Sequence, residues 1–287
     1  MNRNTLSPWC WTYDPHLERD LQSAAAELAE VVGWLAYDSE AHDLARRMNQ
    51  ESLYFARMAG DKAIELLTLQ NSSMHAASRG RPREALQIAR SVLEGDYRLS
   101  PRLTALFLTR KARALAQGGD DSALRLFPEI RSLYHEGVSA DDPAWAWWID
   151  ERELTWHEAM VQRDLGMPER AIAQFERSVI ATSHTEIRSQ YLHRAYLLQA
   201  QVDNATWDDV EESIRQLLPL SSEVASTRTV VLLRKVSHQL ETHPRVPSAL
   251  REQVTMLNAA LDQAPDLRKR VGRKPGDLGF FRGRCAA

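Results

Sequence analysis

From about residue 15 to residue 261 the chain reads as a series of helical patterns separated by short polar turns. Asp14-Pro15, a cap followed by a proline, opens a long first helix predicted from Pro15 to Tyr37. Further helical stretches run from Lys62 to Arg79, Glu84 to Leu93, Asp150 to Leu165 and Glu169 to Val179. A last pair spans Arg228 to Leu240 and Pro247 to Leu261. From Val271 to Ala287 four glycines interrupt the chain and the helical period is lost, so this end reads as a disordered tail. Three segments are expected: an extension over 1–14, a helical array over 15–263 and a tail over 264–287.

The turns repeat. Gly80-Arg81-Pro82-Arg83-Glu84-Ala85 recurs as Gly166-Met167-Pro168-Glu169-Arg170-Ala171. In each copy glycine ends one helix in a left-handed cap, and proline two residues later starts the next. The alanine then lies where two antiparallel helices cross closely. Weaker copies place Ala45, Ala123 and Val210 at the same point. Three of the four steps between these positions are 38 to 40 residues; the step from Ala123 to Ala171 is 48 and contains the insertion Gly137 to Trp148.

Composition agrees with a helical chain: of 287 residues only 12 are glycine and 12 proline, with 44% apolar and 26% charged. The net charge of −3 supplies no global field for nucleic acid, although seven basic against two acidic residues crowd the last 24. Cys10 and Cys285 at opposite ends form no disulfide framework. No signal peptide or membrane span is recognisable, and a cytoplasmic location is expected.

Motifs of known chemistry are missing. His157-Glu158-Ala159-Met160-Val161 begins like a zinc-protease helix, but Val161 stands where the second histidine is needed. No phosphate-cradling glycine loop or nucleophile elbow occurs, so no metal, cofactor or catalytic residue is assigned. The nine histidines are scattered, and surface or capping roles are expected for them. Asp141-Asp142 and Asp208-Asp209 read as helix N-terminal charge. One cluster stands out: Trp145, Trp147, Trp148 and Trp156, four of eight tryptophans. A helix from about Pro143 would bring Trp145, Trp148 and Trp156 to one face. They serve either to fill the gap left by the long step or to line a ligand site.

Five of the units resemble the tetratricopeptide repeat, the best copy being Ala159, Gly166, Ala171, Phe175 and Ser178. The order of four further segments is more specific: Glu27 to Asp38, Gly80 to Leu86, Pro143-Ala144-Trp145 with Glu153-Leu154, and Arg188 to Arg194. Over Leu21 to Leu261 the chain is similar to the sensor region of bacterial transcriptional regulators that join a helix-turn-helix to such repeats. The resemblance implies an all-α, right-handed superhelix of antiparallel helical hairpins. It implies a non-catalytic protein that binds a peptide, small signal molecule or protein segment, with homodimerisation open. Met1 to Asp14 is too short for the DNA-binding domain, so an orphan sensor or a truncated regulator is expected, without direct DNA binding. In stacked hairpins the first helices line the concave surface. That register points Glu153, Trp156, Met160 and Arg163 inward, with Gln70, Asn71, Tyr191, Arg194 and Gln199, and adds Trp145 and Trp148. Arg163 would pair a ligand carboxylate, Glu153 an amine, and Trp156 would pack between them. An enzyme using the same groove, signalled by a buried His or carboxylate beside Trp156, and a purely dimerising scaffold are the alternatives.

Overall fold

A computed structural model describes residues 14–264, and within them the chain is all-helical, with no strand. The expected extension and tail lie almost wholly outside the described residues. The α-helices are α1 Pro15–Asp38, α2 His42–Ala59, α3 Lys62–Ser78, α4 Pro82–Leu93, α5 Pro101–Gln117 and α6 Phe127–His135. They continue as α7 Glu151–Asp164, α8 Pro168–Ala181, α9 Ile187–Asp203, α10 Trp207–Glu223, α11 Thr227–Thr242 and α12 Leu250–Gln263. Two short 3-10 helices, Asp121–Leu126 and Ala144–Trp148, precede α6 and α7. None of these helices is long and apolar enough to cross a membrane.

One turn recurs through the array. After α3, Arg81 N–H bonds back to Ala76 C=O at 3.0 Å and Gly80 N–H to Ala77 C=O at 3.0 Å. This is the paired-bond closure of a helix C-terminus, with the residue between in the left-handed region. The same two bonds follow α1, α2, α5, α7 and α9. Gly80 and Gly166 have φ of 66° and 72°. Where the turn lacks glycine, Glu40 and Ala205 take φ of 60° and 56° instead. The turn after α2, at Gly60-Asp61, also joins one hairpin to the next, a use the sequence reading does not separate out.

The small residues that follow these turns sit at helix crossings. Ala45, Ala85, Ala123, Ala171 and Val210 are all fully buried. At one crossing Ser73 Oγ donates to the Ala85 carbonyl at 2.9 Å, which only close backbones allow.

The stretch after Gly119 is a 3-10 helix until Phe127, with Pro128 offering no N–H in the first turn of α6. One local expectation is corrected. The tryptophan segment is not one helix with α7. It breaks at Ile149, and Asp150 starts α7 afresh by accepting the Glu153 N–H at 2.8 Å.

Successive helices pack as neighbours, except that α10 packs on α12 rather than α11, and the odd-numbered ones also touch one another: α1 with α3, α3 with α5, α5 with α7, and α9 with α11. Trp156 of α7 stacks on His193 of α9, and α11 returns to touch α1. The odd helices therefore form a ring. At the closure Arg228 Nη1 donates to Tyr37 Oη at 2.9 Å and its guanidinium lies 4.7 Å from the Tyr37 ring centre. Along α1, Leu17, Leu21, Leu28, Val31 and Leu35 remain exposed.

Backbone strain at the turns gives a test. Nothing lies within 4 Å of a Cβ built on Gly80 or Gly166, so valine there is penalised by the left-handed backbone alone. Gly80→Val and Gly166→Val should each cost about 1–2 kcal/mol. Ala205→Gly should gain about 0.5–1 kcal/mol, the relief of that strain less glycine's extra chain entropy. Urea midpoints that do not move in any of the three variants would refute the turn assignment.

Candidate ligand-binding cavity

Inside the ring lies a cavity of about 670 Å³. Its lining comes from odd-numbered helices, from the 3-10 helix of tryptophans and from the caps of α9 and α11; no residue of an even-numbered helix contributes. Leu67, Gln70, Asn71 and Met74 of α3 face Arg152, Glu153 and Trp156 of α7 across it. Trp34 closes one side, and Trp145, Trp147 and Trp148 another. Trp145 and Trp148 stack at 6.4 Å, and Trp145 Nε1 donates to the Ala63 carbonyl at 3.0 Å. Both also pack against a core of Leu66, Leu103 and Phe107, so the cluster fills a gap and borders the cavity at once. Trp147, 76% exposed, stands at the rim.

A continuous polar chain crosses four helices along this surface. Asn71 Nδ2 donates to Glu30 Oε1 at 2.6 Å, and Gln70 Nε2 to Asn71 Oδ1 at 2.5 Å. Arg110 Nη2 then donates to Gln70 Oε1 at 2.8 Å. Its Nη1 lies 2.6 Å from His157 Nε2 and donates to it when the ring is neutral. Glu153 Oε1, 3.1 Å from the same nitrogen, accepts from it when the ring is charged. The amides predicted to grip a ligand are thus largely committed to one another.

Burial dominates the electrostatics. It pushes His157 down to about 4, with Arg110 adding and Glu153 opposing. It takes His193 to about 4 as well, with Glu153 opposing and Arg152, His157 and Arg228 adding. Burial also lowers Arg110 to about 10, still charged at neutral pH. For Glu153 burial acts upward, but the His157 hydrogen bond and the charges of His157, His193 and Arg110 prevail and hold it at about 2. Glu30 is raised by burial, against its bond from Asn71.

Of the residues predicted for the site, Gln70, Asn71, Trp145, Trp148, Glu153 and Trp156 line the cavity. Five do not. Met160 is buried with Phe175 and Leu197 between α7, α8 and α9. Tyr191 is fully buried beside Leu198 and Ile214. Arg163 Nη1 donates to Gln199 Oε1 at 2.6 Å, and its guanidinium covers the Tyr196 ring at 5.2 Å, so both predicted residues are used in holding α7 to α9. Arg194 bonds Gln190 and Gln216 instead. The residues of the inward register line the cavity on α3 and in the first half of α7, and those after Trp156 pack against neighbouring helices.

The sequence reading misses Trp34, Arg110, Arg152, His193 and Arg228. Trp34, Arg110 and Arg228 sit on α1, α5 and α11, whose turns carry weak copies of the motif or none. The expectation of surface histidines is corrected too: His75, His157 and His193 are buried. The Asp141-Asp142 reading fails for Asp142, which accepts from Ser100 Oγ at 2.5 Å and the Ser139 N–H at 2.9 Å. Among the described residues no three His, Cys, Asp or Glu side chains gather as a metal site. Neither a scan of protein-family models nor a search of curated proteins finds a match to this chain.

The buried histidines set an acid limit. Their folded values of about 4 lie below the ordinary 6.5, so the unfolded chain takes up protons first as pH falls. Stability should be complete above pH 6.5 and decline towards pH 4, by about 1.4 kcal/mol per pH unit for each histidine. Melting temperatures between pH 7.5 and 4.5 check this. A flat profile over that range would contradict the neutral, buried state of His157 and His193, and His193→Gln should shallow the slope.

Proposed function

We propose that the protein is a non-catalytic recognition module of the tetratricopeptide type, a right-handed superhelix of helical hairpins that takes a ligand into its central cavity. The observation that carries this reading is the division of labour between helices. Alternate helices line one concave space of ligand size, while their partners pack outside. The crossings on small residues, and the turn that recurs through the array, support the same reading. On this view the chain is the sensing part of a bacterial transcriptional regulator and acts in the cytoplasm.

An enzymatic reading draws on His157, His193 and Glu153, buried beside Trp156. Their environments argue against it. A base lowered to about 4 or 2 has little pull on a proton at neutral pH, and efficient general bases lie near the working pH. His193 Nδ1 faces the buried hydroxyls of Ser178 and Thr182, at 3.0 and 3.3 Å, and neither lines the cavity.

A neutral apolar fluorophore, N-phenyl-1-naphthylamine, tests the recognition reading. It should bind saturably at one site per chain. Trp147→Ala should weaken it by about 1–2 kcal/mol with an unchanged melting temperature, because that ring stands at the rim rather than in the core. Ser189→Trp, which places bulk at the cavity wall, should abolish binding. Saturable binding of equal strength in all three proteins would place the ligand elsewhere.

A further inference from the structure

The buried polar atoms of the cavity lining are unevenly satisfied. Among the described residues that line it, three such atoms have no hydrogen-bond partner: Arg152 Nε, Trp156 Nε1 and Arg228 Nε. All three are donors. Among the lining carboxylates, Glu30 accepts from Asn71, Glu186 pairs with Arg152, and Glu153 Oε1 stands 3.1 Å from His157 Nε2. An unmet buried donor costs free energy that an acceptor on a ligand would recover.

These donors lie around one histidine. Trp156 follows Arg152 by one helical turn on α7, and its ring stacks on His193 with centroids 5.5 Å apart and planes 15° apart. Ser178 and Thr182 occupy His193 Nδ1, and Nε2 has no partner among the described residues. Arg228 Nε is 3.7 Å from Asp38 Oδ1, too far for a hydrogen bond. Elsewhere the lining mixes the apolar side chains of Trp147, Trp148 and Leu192 with Gln70, Asn71 and Arg110, which are bonded to one another.

We propose that the end of the cavity bounded by Arg152, Trp156, His193 and Arg228 receives the carboxylate of an otherwise apolar ligand, whose body lies against the tryptophan wall. The assignment rests on the cavity being the ligand site. Two of the three open donors belong to guanidinium groups, which favours a charged acceptor over a neutral carbonyl. A single negative charge fits better than two, because Glu186 already pairs with Arg152 and Asp38 stands 3.7 Å from Arg228. The carboxylate can belong to a small aromatic or acyl acid or to the C-terminus of an apolar peptide.

Isothermal titration of the full chain with 2-naphthylacetate, 2-naphthylacetamide and 2-(2-naphthyl)ethylamine tests the head group at constant body. The acid should bind at least tenfold tighter than the amide or the amine. Trp156→Phe keeps a ring on His193 and removes the N–H. It should weaken the acid about tenfold while leaving the amide unchanged. N-acetyl-Leu-Phe as free acid and as amide distinguishes the sources: a larger acid preference than the naphthyl pair shows assigns the site to a peptide terminus, a smaller one to a small acid. If the neutral or cationic probes bind as tightly as the acids, the carboxylate assignment is overturned and the cavity reading stands. If no probe binds to folded protein, both fall. The wild-type comparison decides the matter even where the variant does not fold.

Discussion

The cavity depends on one buried carboxylate. Asp38, the last residue of α1, is fully buried and holds the two ends of the array together. Ser226 Oγ, the cap of α11, donates to its Oδ1 at 3.2 Å; Arg188 pairs with Oδ2, and Arg228 Nε lies 3.7 Å from Oδ1. Ser226 and Arg228 are 188 and 190 residues away in sequence and Arg188 150, so the contact closes a very long loop. A buried ion group carries a desolvation penalty of several kcal/mol, and its attraction to neighbours repays that only with good geometry. The contribution here is to register rather than to raw stability. Without the closure the odd helices would border an open groove, and Trp34 and Arg228 would not face the same space.

The polar chain from Glu30 to Glu153 does a related job one layer in. Helices whose inner faces carry Gln70, Asn71, Arg110 and His157 cannot pack by hydrophobic burial alone. Each polar group needs a partner on the next helix, which fixes how α1, α3, α5 and α7 stand relative to one another. Because the donors run in one direction, from Arg110 through Gln70 and Asn71 to Glu30, the loss of any one link leaves a buried group unmet.

Much of the fold was legible in the sequence because its information is local. A glycine, a proline two residues later and an alanine three after that specify a turn and a crossing within six residues, and Gly80-Ala85 and Gly166-Ala171 do so. The candidate site was half legible for the same reason. Register counted from a nearby small residue carries over the few residues to Gln70, Asn71, Glu153 and Trp156. The rest depends on which helix comes next. Nothing local says that Arg163 meets Gln199, that Tyr191 faces Ile214, or that Arg228 returns to Tyr37. Buried His157 and His193 look like any other histidines in a helical pattern, because what buries them is contributed from other helices.

The long step between the third and fourth units shows why a structural and a functional role need not compete. The insertion does not lengthen α7; it places a separate 3-10 turn, Ala144–Trp148, between α6 and α7. Ala146 and Ile149 face the core, Trp145 and Trp148 straddle core and cavity, and Trp147 reaches solvent at the rim. A 3-10 turn advances about 120° per residue, so neighbouring side chains fan out in three directions. The same insertion anchors the wall, through Trp145 Nε1 on the Ala63 carbonyl, to the first turn of α3. A wall fixed at that distance in sequence keeps its shape when empty, and a preformed apolar surface spares a ligand the cost of ordering it.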